Sequence, residues 1–241
     1  KGNESDPENP EFRCYNNPEY IEPGIYGLKP MLLAYKWKYI TIQQVSNESA
    51  YIDSFRPYAA ELVAFIKKYR PESEIIIHET WADRVDNPRL APQNLDQAEM
   101  YRRLNSAYAT IAKELGGLRI IPVGDAFQIL REKPGHLFVP EANFDKDACI
   151  FPELPDQTNA LCIGWMWDKD AATGERKLVY DHHANAAGRL LAALVWRQFF
   201  FPHIDVRKNG FKPAGISEEY ASLIREVAYD TVKNNKKPSI A

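Results

Sequence analysis

The apolar positions of this chain follow two patterns that alternate along it. Three short, nearly continuous apolar runs are typical of strands buried on both faces of a parallel sheet. They lie at 39–43, 74–78 and 118–123. Helix candidates with apolar residues near a spacing of three and four flank these runs, at 27–35, 50–69 and 95–115. Strands that alternate with helices predict parallel βαβ units around one open sheet.

The alternation breaks at 133–177, a stretch rich in proline, glycine and aromatic residues. Within it, two strand-like runs at 161–167 and 176–180 flank a turn at 172–174. Two such runs around a glycine-containing turn predict a β-hairpin.

Three further helices are predicted from their start signals. A short one follows Gly124, with Asp125 as its N-cap, and an amphipathic one begins at Ala186. Ser217, followed by two acidic residues, is expected to cap a last helix that ends near Val232.

Composition narrows the functional classes. The 241 residues are 45% hydrophobic and carry a net charge of −3, enough for one sizeable core but without the basic surface of nucleic-acid-binding proteins. Because the chain lacks a basic surface, we expect no nucleic-acid partner. Because no apolar run is long enough to span a bilayer, we expect no membrane partner. The cysteines lack metal-ligand spacing. Cys149 and Cys162 could pair in an oxidising compartment, such as that of a secreted or periplasmic protein, and the alternative is separate free thiols.

Three adjacent side chains that can transfer protons, Asp181-His182-His183, lie directly after the predicted strand 176–180. Two other predicted strands also lead into polar loops, at 43–47 and 78–83. In an open parallel sheet such loops share one edge, so we expect them to converge. Carboxylate, imidazole and amide groups together suit acyl transfer. An imidazole takes the nucleophile's proton, a carboxylate orients it, and neutral donors hold the oxyanion.

These residues resemble the last sequence block of the SGNH (GDSL-like) hydrolases. The resemblance rests on Asp181-x-His183, on Gly188 five residues beyond the histidine, and on the helix at 190–196. Three earlier segments are similar to a little-characterised bacterial branch of that superfamily, at 39–46, 78–82 and 121–127.

The resemblance implies an α/β fold of three layers around a mainly parallel, flavodoxin-like sheet. It divides the chain into an extended arm at 1–26, an SGNH-like domain at 27–201 with the aromatic-rich insertion 133–177, and a C-terminal helical extension at 202–241. It also implies a serine ester hydrolase that needs no metal or other cofactor. The substrate would be a small-molecule or glycan ester, such as an acetyl or other acyl group on a carbohydrate.

Within that family, His183 would be the general base and Asp181 the acid that orients it. The usual block has two residues between acid and histidine, and this chain has one. His182 is therefore a competing base, although its side chain is expected to point to the other side of the turn. Two solvated loop histidines without a catalytic role remain the alternative interpretation.

The family's nucleophile, a serine in a Gly-Asn-Ser or Gly-Asp-Ser turn after the first strand, has no counterpart in this sequence. We therefore expect the chain to be the C-terminal part of a longer protein. Its upstream segment would carry the first strand and the serine and remain associated, because a sheet without that strand has open edges. Ser46 is the fallback nucleophile within the chain, unless its hydroxyl only completes a turn.

Five further residues are pocket candidates. Gln44 lies where the resembled family has an oxyanion-binding asparagine, but it can equally be a strand-end glutamine bonded to backbone. His78 and Trp81 are expected to line the pocket, unless His78 is a buried loop histidine. Trp165 and Trp167 share one face of the predicted hairpin, as a sugar platform, an acyl-pocket wall or simple packing.

Two other functional classes remain open. One is a non-catalytic carbohydrate-binding protein on the same fold. The other is a metal-dependent hydrolase, because a set of nitrogen and oxygen donors could bind zinc although its spacing fits no standard motif. These donors are His78, Glu79, Asp181, His182 and His183.

Overall fold

The computed structural model of this chain describes residues 27–235, so the arm predicted at 1–26 lies outside the described residues. The described part is a mixed α/β fold with two sheets. The strands are β1 (Tyr39–Ile42), β2 (Glu74–His78), β3 (Ile120–Ile121), β4 (Cys162–Lys169) and β5 (Arg176–Ala184). The helices are α1 (Leu28–Ala34), α2 (Tyr58–Tyr69), α3 (Gln97–Glu114), α4 (Val123–Arg131), α5 (Ala186–Phe200) and α6 (Glu218–Lys233).

The three predicted apolar runs form one parallel sheet in the order β1–β2–β3. Residues Tyr39 to Ile42 pair in register with Glu74 to Ile77, and Ile77 pairs with Ile120. The predicted parallel βαβ arrangement is confirmed. Because all three strands run the same way, the segments that follow them lie at one edge of the sheet.

Alternate residues of the central strand face different groups of helices. Ile76 lies in one hydrophobic cluster with Ile121 and with residues of α4, α5 and α6. Ile77 lies in another cluster with Ile120 and with Leu104 of α3. Since side chains alternate between the two faces of a strand, helices cover both faces of the sheet. The C-terminal helix α6 therefore shares the core of the sheet.

The helix predicted at 50–69 begins later than its apolar spacing indicated. A short 3₁₀-helix spans Ile52–Phe55, and α2 starts at Tyr58 after Pro57. Arg56 is extended, because the ring of a following proline disfavours the α conformation. Apolar spacing continued across this break, so the pattern alone placed the start too early.

The hairpin at 161–180 is confirmed as an antiparallel pair, but its second strand is longer than predicted. β5 continues to Ala184, so Asp181, His182 and His183 lie on this strand instead of in a loop. They therefore belong to the two-stranded sheet and not to an end of the parallel sheet. The prediction that they follow a strand of the parallel sheet was wrong, because β5 pairs with β4 in a separate sheet.

Two helix starts differ in their outcome. Ser217 caps α6 as predicted, since its hydroxyl accepts a hydrogen bond from the N–H of Tyr220. Asp125 is not an N-cap, because α4 already begins at Val123 after Pro122. Its carboxylate instead accepts from the Tyr101 hydroxyl at 2.9 Å. No helix in the described part of the chain has the length and apolar content to span a membrane.

Candidate functional site

Asp181 and His183 form a hydrogen-bonded carboxylate–imidazole pair near the end of β5. Oδ1 of Asp181 lies 2.6 Å from Nδ1 of His183 and accepts from the His183 backbone N–H at 2.8 Å. Partial burial raises the pKa of Asp181, but these two hydrogen bonds together with the charges of His183 and His182 lower it, and the net pKa lies below its ordinary value. An ionised carboxylate on Nδ1 fixes the tautomer in which Nε2 is the basic nitrogen.

The other side of the His183 ring is open. Its side chain is 69% exposed, and Nδ1 is the nitrogen that contacts Asp181. No hydroxyl or thiol between residues 27 and 235 hydrogen-bonds to this imidazole. The pair can therefore accept a proton at Nε2 from a group that approaches from outside the described part of the chain.

A β-bulge brings the two histidines together. Gly164 of β4 pairs with Asp181 and Cys162 pairs with Ala184, so two residues of β5 oppose the single residue between them on β4. Bulges redirect side chains that would otherwise alternate. The rings of His182 and His183 accordingly stack, with centroids 4.4 Å apart. The prediction that His182 points to the other side was wrong for this reason.

His182 rests on the loop that follows β2. Trp81 Nε1 donates to the His182 carbonyl at 3.4 Å, and the Trp81 ring stacks on Phe127 with centroids 4.6 Å apart. Burial first, and then the charge of Arg89, lower the pKa of His182. Trp81 thus supports the bulge from the core side and does not stand as a free pocket wall.

A buried arginine anchors the same hairpin. Nε and Nη2 of Arg84 donate to the carboxylate of Asp86 at 2.6 and 2.7 Å, and the Tyr180 hydroxyl donates to that carboxylate at 2.9 Å. The Arg84 side chain is 3% exposed, and it lies against Gly164, the partner of Asp181. A buried ion pair therefore lies directly beneath the strand pair that carries the acid.

No local pattern indicates Arg84 or Asp86 as supporting residues, and Asn185 was also missed. The side-chain oxygen of Asn185 accepts from the N–H groups of Ala187 and Gly188 at the start of α5. Its amide donates to the Ala160 carbonyl at 2.6 Å. An asparagine just before an apolar helix is a recognisable N-cap signal, so this residue could have been found. It ties the start of α5 to the base of the hairpin.

Gln44 and Ser46 do not join the pair. The Gln44 side-chain amide donates to Ser54, to the carbonyl at 2.9 Å and to the hydroxyl at 3.1 Å. The Ser46 carbonyl accepts from the Ser49 hydroxyl at 2.8 Å within a turn. Neither residue hydrogen-bonds to His183 in the described structure. The bond from the Gln44 amide to the Ser54 carbonyl matches the alternative interpretation, a strand-end glutamine bonded to backbone, and the oxyanion role stays a prediction.

An apolar cavity of about 140 Å³ lies beside Gln44, between α2 and α3. Ile42, Phe55 and Tyr108 are among its lining residues, whereas the residues at 181–183 are not. The cavity and the acid–imidazole pair are thus separate features of the molecule.

His78 is a half-buried histidine bonded to a helix. Its Nδ1 accepts from Nε1 of Trp196 in α5 at 3.0 Å, and burial lowers its pKa to about 4. The neutral imidazole therefore packs between β2 and α5 and does not line the site. The glutamate beside it, Glu79, is fully buried and accepts from the Asp125 N–H in the first turn of α4 at 3.2 Å.

We expect His78 to make the fold less stable in acid. An unfolded histidine titrates near 6.5, whereas His78 in the fold titrates at about 4. Between these values the unfolded chain binds a proton that the folded chain does not. The contribution of His78 is complete above pH 6.5 and falls by about 3 kcal/mol as the pH drops to 4.

Urea unfolding of His78→Gln at several pH values tests this expectation. Glutamine keeps an acceptor for Trp196 but has no proton to bind, so stability should fall less between pH 6.5 and 4 than in the wild type. The exposed His203 provides the control, since His203→Gln should keep the wild-type slope. Equal slopes in wild type and His78→Gln would contradict the assignment.

The two hairpin tryptophans pack against their own segment. Trp165 is buried and contacts Phe144 and Tyr180, with ring centroids 5.6 and 5.2 Å away. Trp167 donates from Nε1 to the Glu153 carbonyl at 2.8 Å. Trp165 has no free face for a sugar ring, so the predicted platform is not formed by this pair.

Comparisons with known proteins identify a family without an assigned activity. A family model described as "Domain of unknown function (DUF4886)" matches residues 28–151. A crystal structure of a DUF4886 family protein from Bacteroides uniformis ATCC 8492 is similar to this chain. Its TM-score is 0.63 and its identity 21%, over 91% of this chain and 70% of that one. No curated protein matches significantly. At this identity the structural likeness shows the fold alone. Asp181 lies beyond residues 28–151, the segment that the family model matches.

Proposed function

The chain belongs to the DUF4886 family, and from its geometry we propose that it is a serine-type ester hydrolase of the SGNH (GDSL-like) kind. The observation that carries this proposal is the 2.6 Å contact between Asp181 Oδ1 and His183 Nδ1, with the imidazole 69% exposed. This is the arrangement that a general base needs, in which one nitrogen is oriented by a carboxylate and the other is accessible.

The fold supports the proposal at a coarser level. A parallel sheet with Ile76 facing one group of helices and Ile77 facing another is what a three-layer, flavodoxin-like arrangement requires. Asp181 and His183 lie two residues apart on β5, so their side chains share one face of the strand and meet although the block has one residue fewer between acid and histidine.

The nucleophile in this proposal is a serine on a segment outside residues 27–235. Two observations support it. No hydroxyl in the described part of the chain reaches His183. In addition, β1 pairs with β2 alone among the described strands, so its other edge can pair with a further strand.

The reaction then follows from the pair. The serine oxygen attacks the ester carbonyl while Nε2 of His183 takes its proton, and Asp181 stabilises the imidazolium that forms. The imidazolium next protonates the departing alkoxide, which leaves an acyl-serine. Water attacks this acyl group, with His183 again as the base, and the carboxylic acid is released. The substrate is a small-molecule or glycan ester, because the exposed imidazole leaves room for a bulky alcohol portion.

A fluorophosphonate probe tests the proposal on the protein isolated in its native form. We expect one covalent adduct on a serine outside residues 27–235, mapped by mass spectrometry of peptides. Hydrolysis of p-nitrophenyl acetate should fall in proportion to labelling, because the probe occupies the nucleophile. Heat-denatured protein serves as the control and should not be labelled.

Three results would count against it. Hydrolysis that persists in fully labelled protein would exclude a serine nucleophile. The absence of both labelling and hydrolysis would exclude the proposed esterase activity. An adduct on Ser46 would place the nucleophile within the described chain and exclude the external segment.

A further inference from the structure

We propose that Asp181, His182 and His183 form a binding site for a zinc ion, and that the bound ion inhibits hydrolysis. The inhibition rests on the proposed function, whereas metal binding itself does not. One ligand atom from each of the three side chains lies within 4.8 Å of the others. Among residues 27–235, no other group of three acids, histidines or cysteines brings its ligand atoms this close together.

The spacing of the donors suits a small ion after modest side-chain rotation. Zinc binds histidine nitrogen and carboxylate oxygen at about 2.0–2.2 Å, so the ligand atoms of a tetrahedral site lie roughly 3.3 Å apart. The bulge already holds the two imidazoles together, with centroids 4.4 Å apart. Because all three ligands come from one short stretch of β5, no movement between elements is needed.

The donors are also available. No described residue hydrogen-bonds to the ring nitrogens of His182, although its side chain is half-buried. Asp181 uses Oδ1 for its bonds to His183, which leaves Oδ2 without a hydrogen-bond partner in the described structure. An imidazole nitrogen without a partner, beside a second imidazole and a carboxylate, is a ready ligand for a dication.

The nearby charges do not oppose an ion. Asp83 is buried and forms an ion pair with Arg89, the positive group that acts on His182. The negative charge of Asp83 offsets the positive charge of Arg89 beside His182. Three protein ligands leave a fourth position for water, as in open zinc sites.

Zinc should inhibit hydrolysis because two of its ligands, Asp181 and His183, are the residues proposed to act in catalysis. A His183 nitrogen that binds zinc no longer accepts a proton from a serine, and an Asp181 oxygen on the ion no longer orients the imidazole. The ion and the proton thus compete for the same pair, so zinc should lower the rate and a chelator should restore it.

Isothermal titration of the tag-free protein with zinc chloride tests the site. We expect one ion per chain, and at least about tenfold weaker binding in His182→Asn because one of three ligands is lost. In His203→Asn, which changes an exposed histidine outside the site, the affinity should stay as in the wild type. Zinc should also protect His182 and His183, but not His203, from diethyl pyrocarbonate in the unmodified chain. This second measurement needs no variant to fold.

Activity gives an independent outcome. The zinc concentration that halves hydrolysis should rise at least about tenfold in His182→Asn, relative to the metal-free rate of that variant. No zinc binding, or binding and protection that His182→Asn leaves unchanged, overturns the site. Zinc that raises the rate overturns inhibition and favours a metal-dependent hydrolase. Zinc binding at this site without any ester hydrolysis would support the proposed metal site and exclude the proposed esterase activity.

Discussion

Replacement of His183 by asparagine is expected to lower kcat for p-nitrophenyl acetate by about 10³–10⁵-fold, with little change in KM. Asparagine has a similar size, but its amide cannot take a proton from a nucleophile. The ring of His183 is exposed and bonded through Nδ1 to Asp181, so its removal disturbs no core contact. The loss should therefore appear in the chemical step and not in stability, as initial rates and thermal melts would show.

Asp181→Asn should lower kcat by a smaller factor, about 10²–10⁴-fold. An asparagine amide can keep a hydrogen bond to the imidazole, but it can hold the wrong tautomer and carries no charge to stabilise the imidazolium. The depressed pKa of Asp181 indicates that the wild-type group is a carboxylate across the neutral range. The ranking of the two variants separates the base from the residue that orients it.

His203→Asn is the matched control for both, because it makes the same change at an exposed histidine outside the pair. It should hydrolyse the ester at the wild-type rate. A rate in His183→Asn within tenfold of the wild type, at unchanged melting temperature, would mean that the carboxylate–imidazole contact has no catalytic role.

The parallel sheet was predictable because its signal is local and strong. Ile75, Ile76 and Ile77 form a continuous apolar run, and such a run is stable only when both faces of its strand are covered. The start of α2 was not predictable from apolar spacing, because Pro57 ends the helical conformation without interrupting that spacing.

The chemistry at 181–183 was visible in the residue types, but its geometry was not. The stacking of His182 on His183 depends on a register shift between β4 and β5, which neither strand shows by itself. The same limit applies to Gln44, whose partner Ser54 comes from a 3₁₀-helix ten residues away. Side-chain partners of this kind depend on packing between elements, which a single local pattern does not contain.

The buried position of Arg84 beneath the site was equally unpredictable from the sequence. An arginine in a polar stretch is normally solvated, and Arg84 is buried only because Asp86, Tyr180 and Phe138 surround it. The space for its guanidinium comes from a glycine on another element, Gly164. Because the buried guanidinium occupies the space left by a missing side chain, a side chain introduced at Gly164 is expected to destabilise the fold strongly.

Gly164→Ala is expected to destabilise the fold by about 3–5 kcal/mol, because it would displace a buried ion pair. Gly164 has a φ of +73°, and an added Cβ would lie well under 3.0 Å from both Nη atoms of Arg84. Arg84 would have to leave the bidentate contact with Asp86 while still buried. Because Gly164 pairs with Asp181, the same shift should also lower kcat. Urea unfolding measures the first effect and ester hydrolysis the second.

Gly174→Ala is the matched control, since Gly174 lies in the turn of the same hairpin with a φ of +74°. An added Cβ there would contact only the end of Lys169, at 3.8 Å, so the cost is backbone strain of about 1–2 kcal/mol. The difference between the two variants isolates the displacement of Arg84 from the strain that both share. Equal destabilisation would show that the guanidinium moves aside at no cost, and the ion pair would then not hold the strand that carries Asp181.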